Sequence, residues 1–324
     1  MNWISKLPSD ISLAMRRLPC EILKDLEEVR LTEGRPMLLY SGGKEYELIT
    51  EKRRILTQAE IEQICNRLSD YSAYSCQEDL AAGFLTIEGG HRVGVCGRAV
   101  TEHGQVKSIK EISSLNIRIC REWRGISDKL VPLLLDENGA FLHTVIVSPP
   151  KCGKTTLLRD FIRNLSDLGF RVGVVDERSE IAGITAGIRG FDLGRRTDVL
   201  DRCPKSAGIL MLVRAMAPDI VATDEIGKEE DLDAVKTALC AGTGLLTTIH
   251  GTSRQDLLRS SMGDFVRKGG FQRILYLSSR PKIGTVAAIT DGEGRSLQEG
   301  GSTYKEVRNV IYSASASVLR GKTG

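Results

Sequence analysis

The sequence has no apolar run long enough to span a bilayer, so no transmembrane helix is expected. Its first ten residues, MNWISKLPSD, lack the extended apolar core of an export signal. Eight cysteines lie scattered at positions 20, 65, 76, 96, 120, 152, 203 and 240, with no C-x-x-C pair among them. That spacing argues against a structural zinc site. Without an export signal, the thiols read as reduced and cytosolic. An excess of one charge is also missing. The formal net charge is +3 over 324 residues, too little to make a global case for nucleic acid or a membrane surface as partner. Histidine is scarce, with four in the chain.

What the chain does have is TVIVSPPKCGKTT at residues 144 to 156: an apolar strand, a tight turn, and Gly153-Lys154-Thr155 opening a helix. A helix N-terminus offers unpaired N–H groups and the positive end of a dipole. Glycine lets the backbone close around phosphate. Lysine reaches the β- and γ-phosphates, and the Thr155 hydroxyl ligates Mg²⁺. This is a phosphate-binding loop of the Walker A type, with Ser148 in place of its first glycine. Pro149 and Pro150 donate no N–H, so the donors come from Lys151, Cys152, Gly153, Lys154, Thr155 and Thr156. After the loop, Leu157, Leu158, Phe161, Ile162, Leu165 and Leu168 recur at helical spacing, and Gly169 stands where a C-cap would.

The chain is long enough for two domains. Residues 1 to about 25 look helical. Strand-like runs follow at 28–31, 37–40 and 46–49, the last two joined through Gly42-Gly43. Thr57 with Glu60 resembles a capping box before a helix that buries Ile61, Ile64, Cys65 and Leu68. A second hairpin turns at Gly89-Gly90, and alternation continues to residue 120. This half, 1–121, reads as a smaller α+β domain on an antiparallel sheet. Residues 122–140 read as a linker. From 141 to 312 the pattern becomes strand, helix, strand, which argues for a mostly parallel sheet covered on both faces, an α/β class. Residues 183–206 read as a long loop, 271–299 as two or three strands, and 313–324 as a flexible tail.

Three strand ends carry chemistry, where ligands bind in open α/β sheets. Ile220 to Thr223 ends in Asp224-Glu225, a Walker B pattern in which Asp224 holds Mg²⁺ and Glu225 polarises the attacking water. Val174-Val175 ends in Asp176 and Glu177, with Glu180 just beyond, available to a metal and water network or to ribose recognition. Leu246 to Ile249 ends in His250 beside Gly251, placed to reach a γ-phosphate.

In this order the boxes resemble those of the secretion ATPases, the hexameric motors of type II and type IV secretion and of type IV pili. The match runs over residues 25 to 290. Leu212 to Ser253 resembles their Walker B and histidine-box region, and Asp176 to Glu180 their aspartate box. The resemblance implies a RecA-like P-loop domain, ATP and Mg²⁺ as ligands, and a six-membered ring. It further implies that N-terminal arginines, here Arg92, Arg98 and Arg118, sense phosphate across an interface. Two more departures are Asp224, where the motors commonly have glycine, and Gly227, where many have arginine. The resemblance is closer still to a branch that serves endospore formation. That implies a cytoplasmic ATPase docked peripherally on a membrane channel made of separate proteins. Two other readings stand beside it: a nucleic-acid-associated P-loop ATPase, motivated by Arg189, Arg195, Arg196, Arg202 and Lys205, and a nucleotide-gated scaffold with little turnover.

Overall fold

Two prolines break the opening of the chain. Sequence predicts one helical stretch to about residue 25. The structure has a 3-10 turn Asn2–Lys6, then α1 (Ser9–Arg16) and α2 (Cys20–Lys24). Pro8 and Pro19 precede the two helices, and neither has the N–H that would continue a preceding helix. The structure, a computed structural model, describes residues 2–51, 53–69, 80–81, 83–185 and 189–297. The expected tail at 313–324 lies outside them. The chain divides into two compact units, residues 1–121 with 183–191, and residues 122–182 with 192 onward.

In the first unit follow β1 (Leu26–Thr32), β2 (Leu38–Ser41), β3 (Lys44–Glu47), α3 (Gln58–Leu68), β4 (Phe84–Ile87), β5 (His91–Glu102) and β6 (Gln105–Arg118). Their sheet runs β3-β2-β1-β6-β5-β4, antiparallel throughout. Gly42 and Gly43 turn the β2–β3 hairpin with φ of +57° and +73°, a region open to glycine at little cost. Thr57 caps α3, accepting from the Glu60 N–H while Glu60 accepts from the Thr57 N–H. Ile61, Ile64, Cys65 and Leu68 then pack with Val29, Leu39, Val93 and Ile117 of the sheet in one core. Residues 183–191, read from sequence as the start of a long loop in the second half, belong to this unit. Gly90 makes room for the Phe191 ring, since a Cβ there would fall 2.5 Å from it.

The second unit contains β7 (Thr144–Ser148), α4 (Lys154–Leu168), β8 (Val172–Asp176), β9 (Thr197–Asp201), α5 (Lys205–Met216), β10 (Ile220–Thr223), α6 (Glu229–Cys240) and β11 (Gly244–His250). Then come α7 (Arg254–Arg259), α8 (Gly263–Arg267), β12 (Arg273–Ser278) and β13 (Thr285–Asp291). The sheet order is β13-β12-β7-β11-β10-β8-β9, parallel except for β12–β13. Strands β7, β8 and β10 are buried at every residue, as a parallel sheet with both faces covered requires. The α/β reading with a mostly parallel sheet therefore holds. Sequence does not show β9, a short edge strand inside the Gly-, Arg- and Asp-rich stretch read as loop. Its two aspartates and five-residue length hide it from apolar periodicity.

Helix α4 buries Leu157, Leu158, Phe161, Ile162 and Leu165, and Gly169 caps it at φ +118° with its N–H on the Leu165 carbonyl. Asp160 joins that buried face, 3% exposed. It accepts from the Gly125 N–H at 3.1 Å and from the N–H and hydroxyl of Ser127 at 2.8 Å each, and pairs with Arg163 at 2.8 Å. The segment read as a linker is thus fastened to α4. Burial pushes the Asp160 carboxyl up, but the Ser127, Arg163 and Gly125 donors outweigh it and leave it below the ordinary value of 3.8. Its contribution to stability is complete above that value and is lost as pH falls through the lowered one. Asp160→Ala orphans these donors and should cost about 3 kcal/mol in chemical denaturation at neutral pH. The gap from wild type should narrow under acid conditions.

Candidate nucleotide site

Register places the groups before chemistry uses them. Val175 pairs with Thr223, Thr223 with Thr247, and His250 with Ser148. The C-terminal ends of β8, β10, β11 and β7 therefore stand side by side. The Thr223 hydroxyl donates to the Val175 carbonyl at 2.9 Å, and the Thr247 hydroxyl to the Asp224 carbonyl at 3.2 Å, tying the ends together.

The left-handed positions of the phosphate loop are Lys151, at φ +60°, and Gly153, at +86°. Ser148 has no positive φ, so a side chain costs nothing there. It is fully buried, and its hydroxyl donates to the Pro149 carbonyl at 2.9 Å. Pro150 and Lys151 are exposed, Pro149 half-buried, and Cys152 buried in the loop. Gly153 is needed for its backbone angle and not for space, since a Cβ there would make only ordinary contact with Gly284 in the β12–β13 turn.

The Lys154 ammonium bonds His250 Nε2 at 2.8 Å and lies 3.5 Å from Glu225 Oε2. His250 Nε2 is in turn 3.2 Å from that carboxylate oxygen. Burial lowers the Lys154 pKa and Glu225 opposes the shift. Lysine, Walker B glutamate and box histidine, predicted from three separate segments, thus form one cluster. Thr155 and Thr156 follow in the first turn of α4, both half-buried.

A second cluster has a cation that the sequence pointed toward nucleic acid and not toward this site. Lys205, at the start of α5 and 6% exposed, reaches Glu177 at 2.6 Å and Asp224 at 3.0 Å. Burial acts to lower the Lys205 pKa, and the two carboxylates raise it above the usual value. The bond to Lys205 depresses Glu177, while burial raises Asp224 against the pull of Lys205. The basic cluster that motivated a nucleic-acid reading accordingly loses Lys205 to the interior. Lys205 is spent inside, Arg196 donates to the Ser166 carbonyl, Arg202 faces Asp201, and Arg189 belongs to the first unit.

Asp176 is placed where its expected metal role is hard to perform. Fully buried, it accepts the Glu180 N–H on one oxygen and the Ile181 and Ala182 N–H groups on the other, at 2.8 to 2.9 Å. Those donors pull its pKa down, but burial pushes it up to about 6. It shapes the turn that carries Glu180, whose carbonyl accepts from Arg159 of α4 at 3.0 Å. The three arginines lie on the other unit from the phosphate loop. Arg92 and Arg118 pair directly across β5 and β6, Arg92 stacks over the Phe84 ring at 3.9 Å, and Arg98 meets Glu111 at 3.1 Å.

The donor set around Asp224 suits a hard cation. Asp224 Oδ1 is buried with no hydrogen-bond partner beyond its ion pair with Lys205, and the other donors are carboxylate and hydroxyl oxygens. Mg²⁺ takes few protein ligands and keeps water and phosphate oxygens for the rest.

The family model for Sporulation stage III, protein AA matches residues 8–297. Over 305 residues the sequence is 42% identical to Stage III sporulation protein AA of Bacillus subtilis (strain 168), covering 92% of this chain and 97% of that protein. The resemblance to a sporulation branch is borne out by that match. Among solved structures, the ATPase DotB of Legionella pneumophila superposes with a TM-score of 0.55 at 15% identity, over 97% of this chain and 89% of its own. The pilus retraction motor PilT with bound ADP gives 0.55 at 16%, over 94% and 88%. At these identities the likeness is one of fold.

Asp176→Asn turns an NH₂ donor toward backbone N–H groups and should cost about 1–3 kcal/mol. A carboxyl raised from 3.8 to about 6 stabilises the fold fully below 3.8 and loses that contribution as pH rises through 6. The variant should lack this slope in denaturation measured across the window.

Proposed function

The chain belongs to the Sporulation stage III, protein AA family, and from that premise we propose that it is an ATP-hydrolysing motor of the secretion-ATPase type, energising a membrane channel during sporulation. The observation that carries this reading is the meeting of Lys154, Glu225 and His250 beside the phosphate loop, within 3.5 Å of one another. A scaffold that only bound nucleotide would need the loop. It would have no use for a carboxylate and an imidazole converging on the same ammonium.

The N–H groups from Lys151 to Thr156 receive the phosphates at the positive end of α4. Lys154 exchanges its contacts with Glu225 and His250 for phosphate oxygens. That exchange releases Glu225 to orient and polarise water, and leaves His250 to report on the γ-phosphate. Thr155 and Asp224 would hold Mg²⁺, which when bound neutralises charge building on the phosphates. Glu177 and Glu180 complete the acidic wall on the β8 side, and Asp176 acts by holding their turn. Arg92, Arg98 and Arg118 are proposed to sense phosphate on a neighbouring copy in a six-membered ring. Among the described residues no helix is long and apolar enough to cross a membrane. On the family premise, the proposed station is cytoplasmic and peripheral, reached through channel proteins.

Turnover of Mg-ATP by the full chain tests the reading. Glu225→Gln should still bind nucleotide and lose about 10²- to 10⁴-fold in rate. Lys154→Ala should lose binding, and chelation of the metal should stop wild-type turnover. Wild-type turnover no higher than that of the two variants would overturn it.

A further inference from the structure

Trp123 is 55% exposed, and a bare indole offers a flat π-face on which another ring can stack. It is nevertheless held firmly. Glu122 on one side accepts from the Asp192 N–H at 2.8 Å and pairs with Arg124 at 3.1 Å. Arg124 on the other side also meets Asp192, at 3.3 Å. Two residues on, the Gly125 N–H is fixed on buried Asp160 of α4. The backbone on both flanks is therefore anchored, while the ring between them is left facing outward.

The ring borders a shallow cleft with Thr156 and Arg159. These stand two and five residues beyond Lys154, or about 3 and 7.5 Å along the helix axis. A base joined through ribose to phosphates at the helix N-terminus falls within that span. We infer that Trp123 is the platform on which the nucleobase stacks, an inference that rests on the nucleotide-site reading above. The charged groups of the cleft are engaged elsewhere. Arg159 serves the Glu180 carbonyl, Asp160 the Ser127 hydroxyl, and Glu122, Arg124 and Asp192 one another. Every base has a π-face, so a site that stacks without reading edges tolerates different bases. Adenine and guanine nucleotides should bind alike.

The test titrates the full-length chain with Mg-ADP, Mg-GDP and inorganic tripolyphosphate by calorimetry. Intrinsic fluorescence is read alongside, since the other of the two tryptophans, Trp3, is fully buried. ADP should quench Trp123. Trp123→Ala should weaken ADP and GDP about tenfold and leave tripolyphosphate unchanged, while Trp123→Phe stays within about threefold of wild type. Unaltered ADP affinity in Trp123→Ala, with or without a changed mass in solution, overturns the platform alone. Equal losses for ADP and tripolyphosphate also overturn it, by showing a loosened loop. A wild type that binds neither ligand overturns the platform and the nucleotide reading together.

Discussion

Parallel pairing in register among β8, β10, β11 and β7 is the constraint from which the site follows. Val175, Thr223 and Thr247 stand level, and β11 and β7 run on to the paired His250 and Ser148, so groups far apart in sequence become neighbours. Because side chains alternate along a strand, a slip of one residue would exchange the side chains packed against the layers on its two faces. Burial of β7, β8 and β10 on both sides makes any displacement costly, and the Thr223 and Thr247 hydroxyls bridge adjacent ends. The acids, the histidine and the loop lysine thus need no dedicated scaffold of their own.

Within that frame, charge neutralisation selects the contacts. Lys154 is matched with Glu225, and Lys205 with Asp224 and Glu177. Buried charges persist only when paired and hydrogen-bonded. The two lysines differ in what they can give up. Lys154 opens α4 beside N–H groups that attract phosphate, so an incoming anion can replace its partners. Lys205 lies almost wholly inside, where release from both acids would strand three charges. One pair suits exchange with a substrate, and the other a fixed geometry.

The legible part of the sequence was the part set by local rules. The strand–loop–helix order, the Gly169 cap, the Thr57 capping box and the glycine-turned hairpins each follow from a few adjacent residues. The strand-end acids were legible because an apolar run followed by carboxylates is itself a local pattern. Pro8 and Pro19 were visible too, but apolar spacing across residues 1 to 25 masked their effect. Long-range partners were not legible. Lys205 reads as one more basic residue after Pro204, and nothing nearby announces that two acids from other strands will surround it. Asp160 reads as a polar residue in an amphipathic helix until Gly125 and Ser127 arrive from 35 and 33 positions away. Residues 183–191 look continuous with the segment around them, yet their glycines fit the first unit, where Gly90 and Phe191 meet.

The departures from the secretion-ATPase pattern have a shared physical logic. Ser148 is tolerated because the loop draws its left-handed turns from Lys151 and Gly153. Asp224, standing where those motors commonly have glycine, places a carboxylate 8% exposed at the strand end, within the electrostatic reach of Glu180. Alone, it would be driven toward its neutral form by burial and by its acidic neighbours. Lys205 offsets part of that penalty by contacting Asp224 and Glu177 at once. Glycine at 224 would leave Lys205 with only half of its compensation, and a neutral residue at 205 would leave two acids facing each other. The aspartate and the lysine are therefore one electrostatic unit, and each makes sense at its position only in the presence of the other.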